Sequence, residues 1–359
     1  MSEARRLSFL DALRGLAAFA VVIQHSLEQT IAGFTQWATH NFNLGTFGVV
    51  SFFIVSGFVI PYSLERSNDA RKFWVSRFFR LFPAYWTSLA LVLILFFLGW
   101  LPLPGDQAQH IVKFALANMT MFQEAFKVPH AIPVYWTLSL EMAFYILISI
   151  LFLLKLNKRT LALAWLGLTV VFVGCMTAYF VLHRSLPAGR LGLLATCFVG
   201  TAFFRVYKGD LKPAQLGWLL VGTAALLLPG MYIRFELLPK PPTPGSQEDF
   251  SFQAVALSWI AAYAFFGLLF WLRDKAFPNV LRYLGAISYS LYLFHPLVLD
   301  LLPRTLAKPL WFSLAVAGSI GIAALSYHFI ELPSIELGRK VADKLKARPA
   351  IERSEPTTG

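Results

Sequence analysis

The run Leu161-Ala162-Leu163-Ala164-Trp165-Leu166-Gly167-Leu168-Thr169-Val170-Val171-Phe172-Val173-Gly174-Cys175-Met176-Thr177-Ala178-Tyr179-Phe180-Val181-Leu182 holds 22 residues without one Asp, Glu, Lys, Arg or His. A helix rises about 1.5 Å per residue, so the run is roughly 33 Å long, enough for a hydrocarbon core about 30 Å thick. Working outward, comparable apolar runs lie at 8–28, 44–63, 81–100, 135–154, 188–206, 214–233, 252–272, 283–302 and 310–331. The pattern is weakest at 188–206, which Gly192 and Gly200 interrupt. The expected fold is therefore an all-α, polytopic transmembrane bundle of about ten spans. Composition agrees, because 57% of residues are hydrophobic and 14% charged, against about 25% charged in a soluble domain.

No water-soluble domain can be cut from such a chain. Residues 1–333 read as one transmembrane domain and 334–359 as a charged, partly disordered cytoplasmic tail ending in Ser354, Glu355, Pro356, Thr357, Thr358 and Gly359. Pro239, Pro241, Pro242 and Pro244 mark an external loop, since proline cannot continue a helix. Arg5 and Arg6 before an apolar stretch imitate a signal peptide, but Asp11 and Arg14 interrupt that stretch and the first helix is expected to be retained. Cys175 and Cys197 fall inside spans with neither metal nor disulfide spacing, so no metal is expected.

The formal charge of +12 takes its meaning from where the cations lie. Segments on the side of the N-terminus, including the tail, hold 22 Lys and Arg residues, and the alternate loops hold eight: Lys113, Lys127, Arg184, Arg190, Arg234, Lys240, Arg304 and Lys308. Under the positive-inside rule both termini are expected in the cytoplasm, which requires an even number of spans. The asymmetry accounts for the basic balance, so the expected surroundings are a lipid bilayer and not nucleic acid. The pattern specifies no oligomeric state.

An ionisable group at the centre of a span costs roughly 2.5–3.5 kcal/mol on insertion scales and so needs a partner or a purpose. Asp11 and Arg14 are three residues apart on one helix face and can pair there. His25 follows Arg14 by eleven residues, close to three helical turns, so both point to one side about 16 Å apart along the axis. Glu141 and His295 are expected at the depth of His25, which suggests one polar chamber built from three helices. Ser56 and Gly57 are small enough to admit another backbone or a ligand. Arg77 and Arg80, expected at the cytoplasmic interface ahead of the third span, are one turn apart and suit an anion such as phosphate, the alternative being an interfacial anchor.

Several longer motifs carry these residues. They are Leu10-Asp11-Ala12-Leu13-Arg14-Gly15 with His25, and Phe52 to Phe58 as Phe-Phe-x-x-Ser-Gly-Phe. Arg77 to Trp86 reads Arg-x-x-Arg-Leu-x-Pro-x-Tyr-Trp, and Trp136 to Tyr145 carries Ser139 and Glu141. Tyr289-Ser290-Leu291-Tyr292 leads to His295, and Tyr327 to Pro333 contains Glu331. In this order the motifs resemble the membrane acyltransferase-3 family across about 10–333. The resemblance implies acyl transfer, often of acetyl, from acyl-CoA (acetyl-CoA) as donor substrate to a carbohydrate or lipid-linked glycan, with no bound cofactor, in a bacterial-type inner membrane. Some relatives carry a further soluble hydrolase-like domain, for which this sequence has no room, so the activity is expected inside the membrane.

His25, Glu141, Arg14 and Asp11 are the expected catalytic group. Arg77, Arg80, Ser56, Tyr85, Trp136, Ser139, Tyr289, His295 and Glu331 are expected to bind donor or acceptor. His25 is the expected general base, with Glu141 or His295 holding its tautomer or binding the acceptor. Ser56 and Ser139 are candidates for an acyl-enzyme, and no nucleophile–base spacing singles one out. The alternative from another class is a proton-coupled transporter using the same polar residues as a relay, against which stands the lack of an internal repeat of the helix-one pattern.

Overall fold

The computed structural model describes residues 7–184, 186–238 and 250–345. Arg5 and Arg6, the prolines at 239, 241, 242 and 244, and the terminal Ser354 to Gly359 lie outside the described residues. Within them the chain is helical and contains no strand. The helices are α1 (Ser8–Thr30), α2 (Phe34–His40), α3 (Leu44–Ser67), α4 (Ala70–Phe97), α5 (Ile111–Met119), α6 (Tyr135–Leu153) and α7 (Thr160–Phe180). They continue as α8 (Ala188–Lys208), α9 (Pro213–Tyr232), α10 (Phe252–Trp271), α11 (Asn279–Ala286), α12 (Ser288–Leu301), α13 (Lys308–Ser326) and α14 (Leu332–Lys344). Nine described helices are long and apolar enough to cross a membrane, or ten if the bent pair α11 and α12 counts as one span.

Three differences from the expected spans bear on the site. The third span begins at Ala70 and not at 81, because Asp69 caps the helix by accepting from the amides of Arg71 (2.8 Å) and Lys72 (3.4 Å), a favourable way to satisfy the first orphan donors. Arg77 and Arg80 therefore stand within α4 and not on a segment before it. The ninth span is broken, with α11 and α12 meeting at 68°. The last runs on from α13 through a π-helical turn, Tyr327–Glu331, into α14. Part of the charged stretch after Pro333 is thus helix, packed on α4 where Gly338 meets the Phe79 side chain.

The interrupted segment at 188–206 forms the unbroken α8, the most enclosed of the candidate spans. Its glycine explains why. Lipid supplies no hydrophobic drive between helices, so association relies on close backbone approach. A Cβ on Gly57 of α3 would overlap the Cys197 carbonyl of α8, and one on Gly200 would overlap the Ile54 carbonyl. Thr201 Oγ1 adds a hydrogen bond to the Gly57 carbonyl at 2.9 Å. The same device joins α1 to α11, where a Cβ on Gly285 would overlap the Asp11 carbonyl. A Cβ on Gly48 of α3 would likewise overlap the Ala17 carbonyl of α1, so these close approaches hold α1, α3, α8 and the broken span together around the polar residues.

Candidate active site

Two cavities open inside the bundle. The arginine cavity, about 80 Å³, is lined by Arg14 of α1, Ser56 of α3, Arg77 and Arg80 of α4, and Glu141 and Tyr145 of α6, with Tyr289 from α12. The histidine cavity, about 850 Å³, is lined by His25 and Glu28 of α1, Trp136 of α6, Arg190 of α8 and Trp259 of α10. Val49 and Tyr292 line both, so the two spaces adjoin at those side chains.

This arrangement corrects the single chamber. His25 and His295 do meet, their rings stacked at 5.5 Å and 13°. Glu141 belongs instead to the arginine cavity, where Ser56 Oγ (2.8 Å) and the Tyr145 hydroxyl (2.6 Å) both donate to its Oε1. Similar depth in two helices does not fix which face of each helix turns inward. The expected Asp11–Arg14 pair is not a direct contact, since no ion pair within 4.0 Å joins them among the described residues. The Arg14 guanidinium lines the arginine cavity.

The carboxylate that holds His25 is Glu28, which the motif reading passed over. His25 Nδ1 lies 2.7 Å from Glu28 Oε2, and a carboxylate can only accept, so Nδ1 carries a proton and, in the neutral ring, Nε2 keeps its lone pair. Glu28 is fixed in turn by Gln24 Nε2 at 2.8 Å, and Gln24 Oε1 accepts the Leu44 amide at 3.1 Å, one of the orphan donors opening α3. The signal was present in the sequence as a carboxylate three residues after a histidine on one helix.

His295 is fully buried. Pro296 lacks an amide hydrogen, which frees the Tyr292 carbonyl four residues before it. His295 Nδ1 donates to that carbonyl at 2.9 Å, so its Nε2 is the bare nitrogen and has no partner. Tyr292 itself is tied to Thr137, hydroxyl to hydroxyl, at 3.0 Å.

Of the remaining expected residues, Arg77 is buried, with its Nε unpartnered and its guanidinium over the rings of Phe73 (5.4 Å) and Tyr145 (5.9 Å). Trp136 lies under the Arg190 guanidinium at 5.4 Å. Tyr289 donates to the Leu81 carbonyl at 2.9 Å. Three others line neither cavity. Tyr85 donates to the Asn118 carbonyl at 2.7 Å. Ser139 donates to the Met121 carbonyl, and Glu331, 2% exposed, accepts from Ser290. These three brace the walls by tying α4 to α5, α6 to the α5–α6 connection and α12 to the π-turn.

Comparison with known proteins adds the chemistry. Nodulation protein 10 of Rhizobium leguminosarum bv. viciae is 26% identical over 365 residues, covering 91% of this chain and 93% of that protein. Peptidoglycan O-acetyltransferase OatA of Listeria monocytogenes is 26% identical over 361 residues, covering 90% of this chain but only 55% of the relative, so the chain spans about half of that protein. No solved structure matches. The family described as "Acyltransferase domain" matches residues 7–330, which include every lining residue named above, and the chain therefore belongs to the membrane acyltransferase-3 family as a multi-pass membrane acyltransferase.

Proposed function

We propose that the protein transfers an acyl group, acetyl in the first instance, from acyl-CoA to a hydroxyl of a carbohydrate or lipid-linked glycan. The observation that carries this is the adjoining pair of cavities, one lined by three arginines and the other holding a carboxylate-oriented imidazole. Loop charges favour the arginine side facing the cytoplasm, where acyl-CoA is made, and the histidine side facing outward from a bacterial-type inner membrane. One relative is named for peptidoglycan, which supports an envelope glycan as acceptor.

Arg14, Arg77 and Arg80 would receive the donor's phosphates at the mouth of their cavity, guanidinium being suited to bidentate pairing with phosphate. That cavity is the smaller of the two, and the pantetheine arm is the part of the donor that would enter it. The acyl carbon would arrive near Tyr292 and Val49. In the histidine cavity, about 850 Å³, the partly exposed Trp136 would offer an aromatic surface to a sugar ring. His25 Nε2 would take the proton of the acceptor hydroxyl, and Glu28 would hold the ring and stabilise the imidazolium that forms, the division of labour seen wherever a carboxylate backs a histidine base.

The test is acyl transfer from labelled acetyl-CoA into envelope glycan in membranes. His25→Ala is expected to lower it by about 10²–10⁴-fold, and Arg14→Ala to lower it through weaker donor binding. Wild-type rates in both at normal expression would overturn the proposal.

A further inference from the structure

The function proposed above leaves open how the acyl group passes from a cavity lined by arginines to a base that lines a different one. Ser56 stands in the first cavity and is partly open to it. Its Oγ lies 2.8 Å from Glu141 Oε1, which is the hydrogen bond a hydroxyl nucleophile needs to a base that will take its proton. The Tyr145 hydroxyl, 2.6 Å from the same oxygen, fixes the orientation of that base. Three guanidinium groups line the same space and can stabilise the negative charge that develops on a tetrahedral intermediate. The other serine in question, Ser139, donates only to the carbonyls of Met121 and Tyr135 and has no base.

Resting on the acyltransferase reading, we infer that Ser56 is a covalent acyl carrier activated by Glu141, so that transfer proceeds in two steps, one in each cavity. In the first, Glu141 accepts the Oγ proton while Oγ bonds to the acyl carbon of the donor thioester. The C–S bond breaks, and Glu141 returns the proton to the departing thiolate, leaving an ester on Ser56 and free CoA thiol. In the second, His25 Nε2 accepts the proton of the acceptor hydroxyl, whose oxygen bonds to the acyl carbon. The C–Oγ bond breaks and His25 returns the proton to Ser56 Oγ, Tyr292 and Val49 being the side chains that line both cavities. No reductant, oxidant or further reactant is consumed.

Splitting the reaction has a physical advantage. One bound base need not be reached by both a cytoplasmic thioester and a glycan hydroxyl at once, and the acyl group stays on Ser56 after CoA has left.

The experiment incubates the purified full chain in lipid nanodiscs with labelled acetyl-CoA alone, followed by acid quench and peptide mass spectrometry. The expected result is one acetyl ester on Ser56 in the wild type, a higher occupancy in His25→Ala because its second step is blocked, and none in Ser56→Ala or Glu141→Gln. Ser56→Cys, close in size, is expected to carry a thioester that neutral hydroxylamine releases, which guards against a misfolded alanine variant. Acyl transfer is expected to fall by on the order of 10³-fold or more in Ser56→Ala, as when a nucleophile is removed. An unlabelled Ser56 in both wild type and His25→Ala, or transfer at the wild-type rate by Ser56→Ala, overturns the relay. The underlying function is read separately, by whether cells with the wild-type gene gain an acyl ester on envelope glycan that His25→Ala cells lack. That gain, together with an unlabelled Ser56, overturns the relay alone.

Discussion

Two arginines are almost equally hidden in this bundle, Arg77 at 8% and Arg205 at 3% exposure, and their surroundings are opposite. Arg205 of α8 is fully engaged. Its two terminal nitrogens pair with the Glu65 carboxylate at 2.9 and 2.5 Å, and it also reaches Thr160 Oγ1 (3.0 Å) and the Asn157 carbonyl (2.8 Å). Arg77 faces two aromatic rings, keeps an Nε without an acceptor and borders a cavity. A buried charge must be compensated. Arg205 is compensated by a direct ion pair and clamps the ends of α3, α7 and α8, whereas Arg77 makes no ion pair within 4.0 Å among the described residues and borders a cavity that it shares with Glu141, with room for a further anion. Burial therefore does not separate a structural arginine from a functional one, but the completeness of its hydrogen bonding does.

The sharpest way to break this comparison is to remove one partner from each. Glu65→Ala removes the bidentate partner of Arg205 and leaves Asp210 at 3.4 Å as its carboxylate, so it is expected to cost about 3 kcal/mol of stability, the lower end of the usual penalty for breaking a buried pair, measured as a lowered midpoint of thermal unfolding in nanodiscs. Arg77→Met removes a charge already without a full set of partners. Stability is expected to hold within about 1 kcal/mol, while donor binding weakens roughly ten- to a hundred-fold, the loss of a hydrogen bond to a charged group. Isothermal titration with CoA reads the second effect, and a large unfolding shift in Arg77→Met would erase the distinction.

A third arginine sets the lower end of the scale. Arg190 pairs with Glu124 at 2.8 Å, but the side chains are 40% and 44% exposed, and exposed pairs contribute only about 0–1 kcal/mol. Burial pushes the Glu124 carboxyl upward, but the hydrogen bond from His130 and the Arg190 charge outweigh it and hold the group below its ordinary value. The contribution of a depressed carboxylate is complete above its unfolded pKa and is lost as pH falls through the folded one. Stability should therefore drop slightly more in the wild type than in Glu124→Gln as the pH is lowered below about 4. Equal acid profiles would remove even this small term.

Much of the fold could be read along the chain because lipid imposes a simple condition, that every backbone polar group be satisfied within its own segment. Apolar length alone then marks a helix, and each expected span has one. The reading faltered where local chemistry overrode hydropathy. Asp69 starts α4 ahead of its apolar run, so Arg77 and Arg80 are carried inside it. Gly192 and Gly200 weaken the hydropathic signal of α8 although Gly200 is the reason that helix packs so closely.

The motifs also located most of the polar residues correctly on their helices. They did not assign them to cavities. Glu141 was expected beside His25 because both lie near the ends of their helices, but rotation about the α6 axis turns it toward Ser56. Glu28 was legible from its spacing to His25 but stands outside the motifs.

The sequence by itself determined that the chain spans a membrane many times, which residues are too polar to face lipid, and that Arg14 and His25 share one face of α1, because length, composition and helical period are properties of single segments. Only the tertiary structure decided that these residues divide between two adjoining cavities, with Glu141 serving Ser56 in one and Glu28 serving His25 in the other. That partition depends on how far each helix is rotated and how closely its glycines let it approach, and no single segment carries that information.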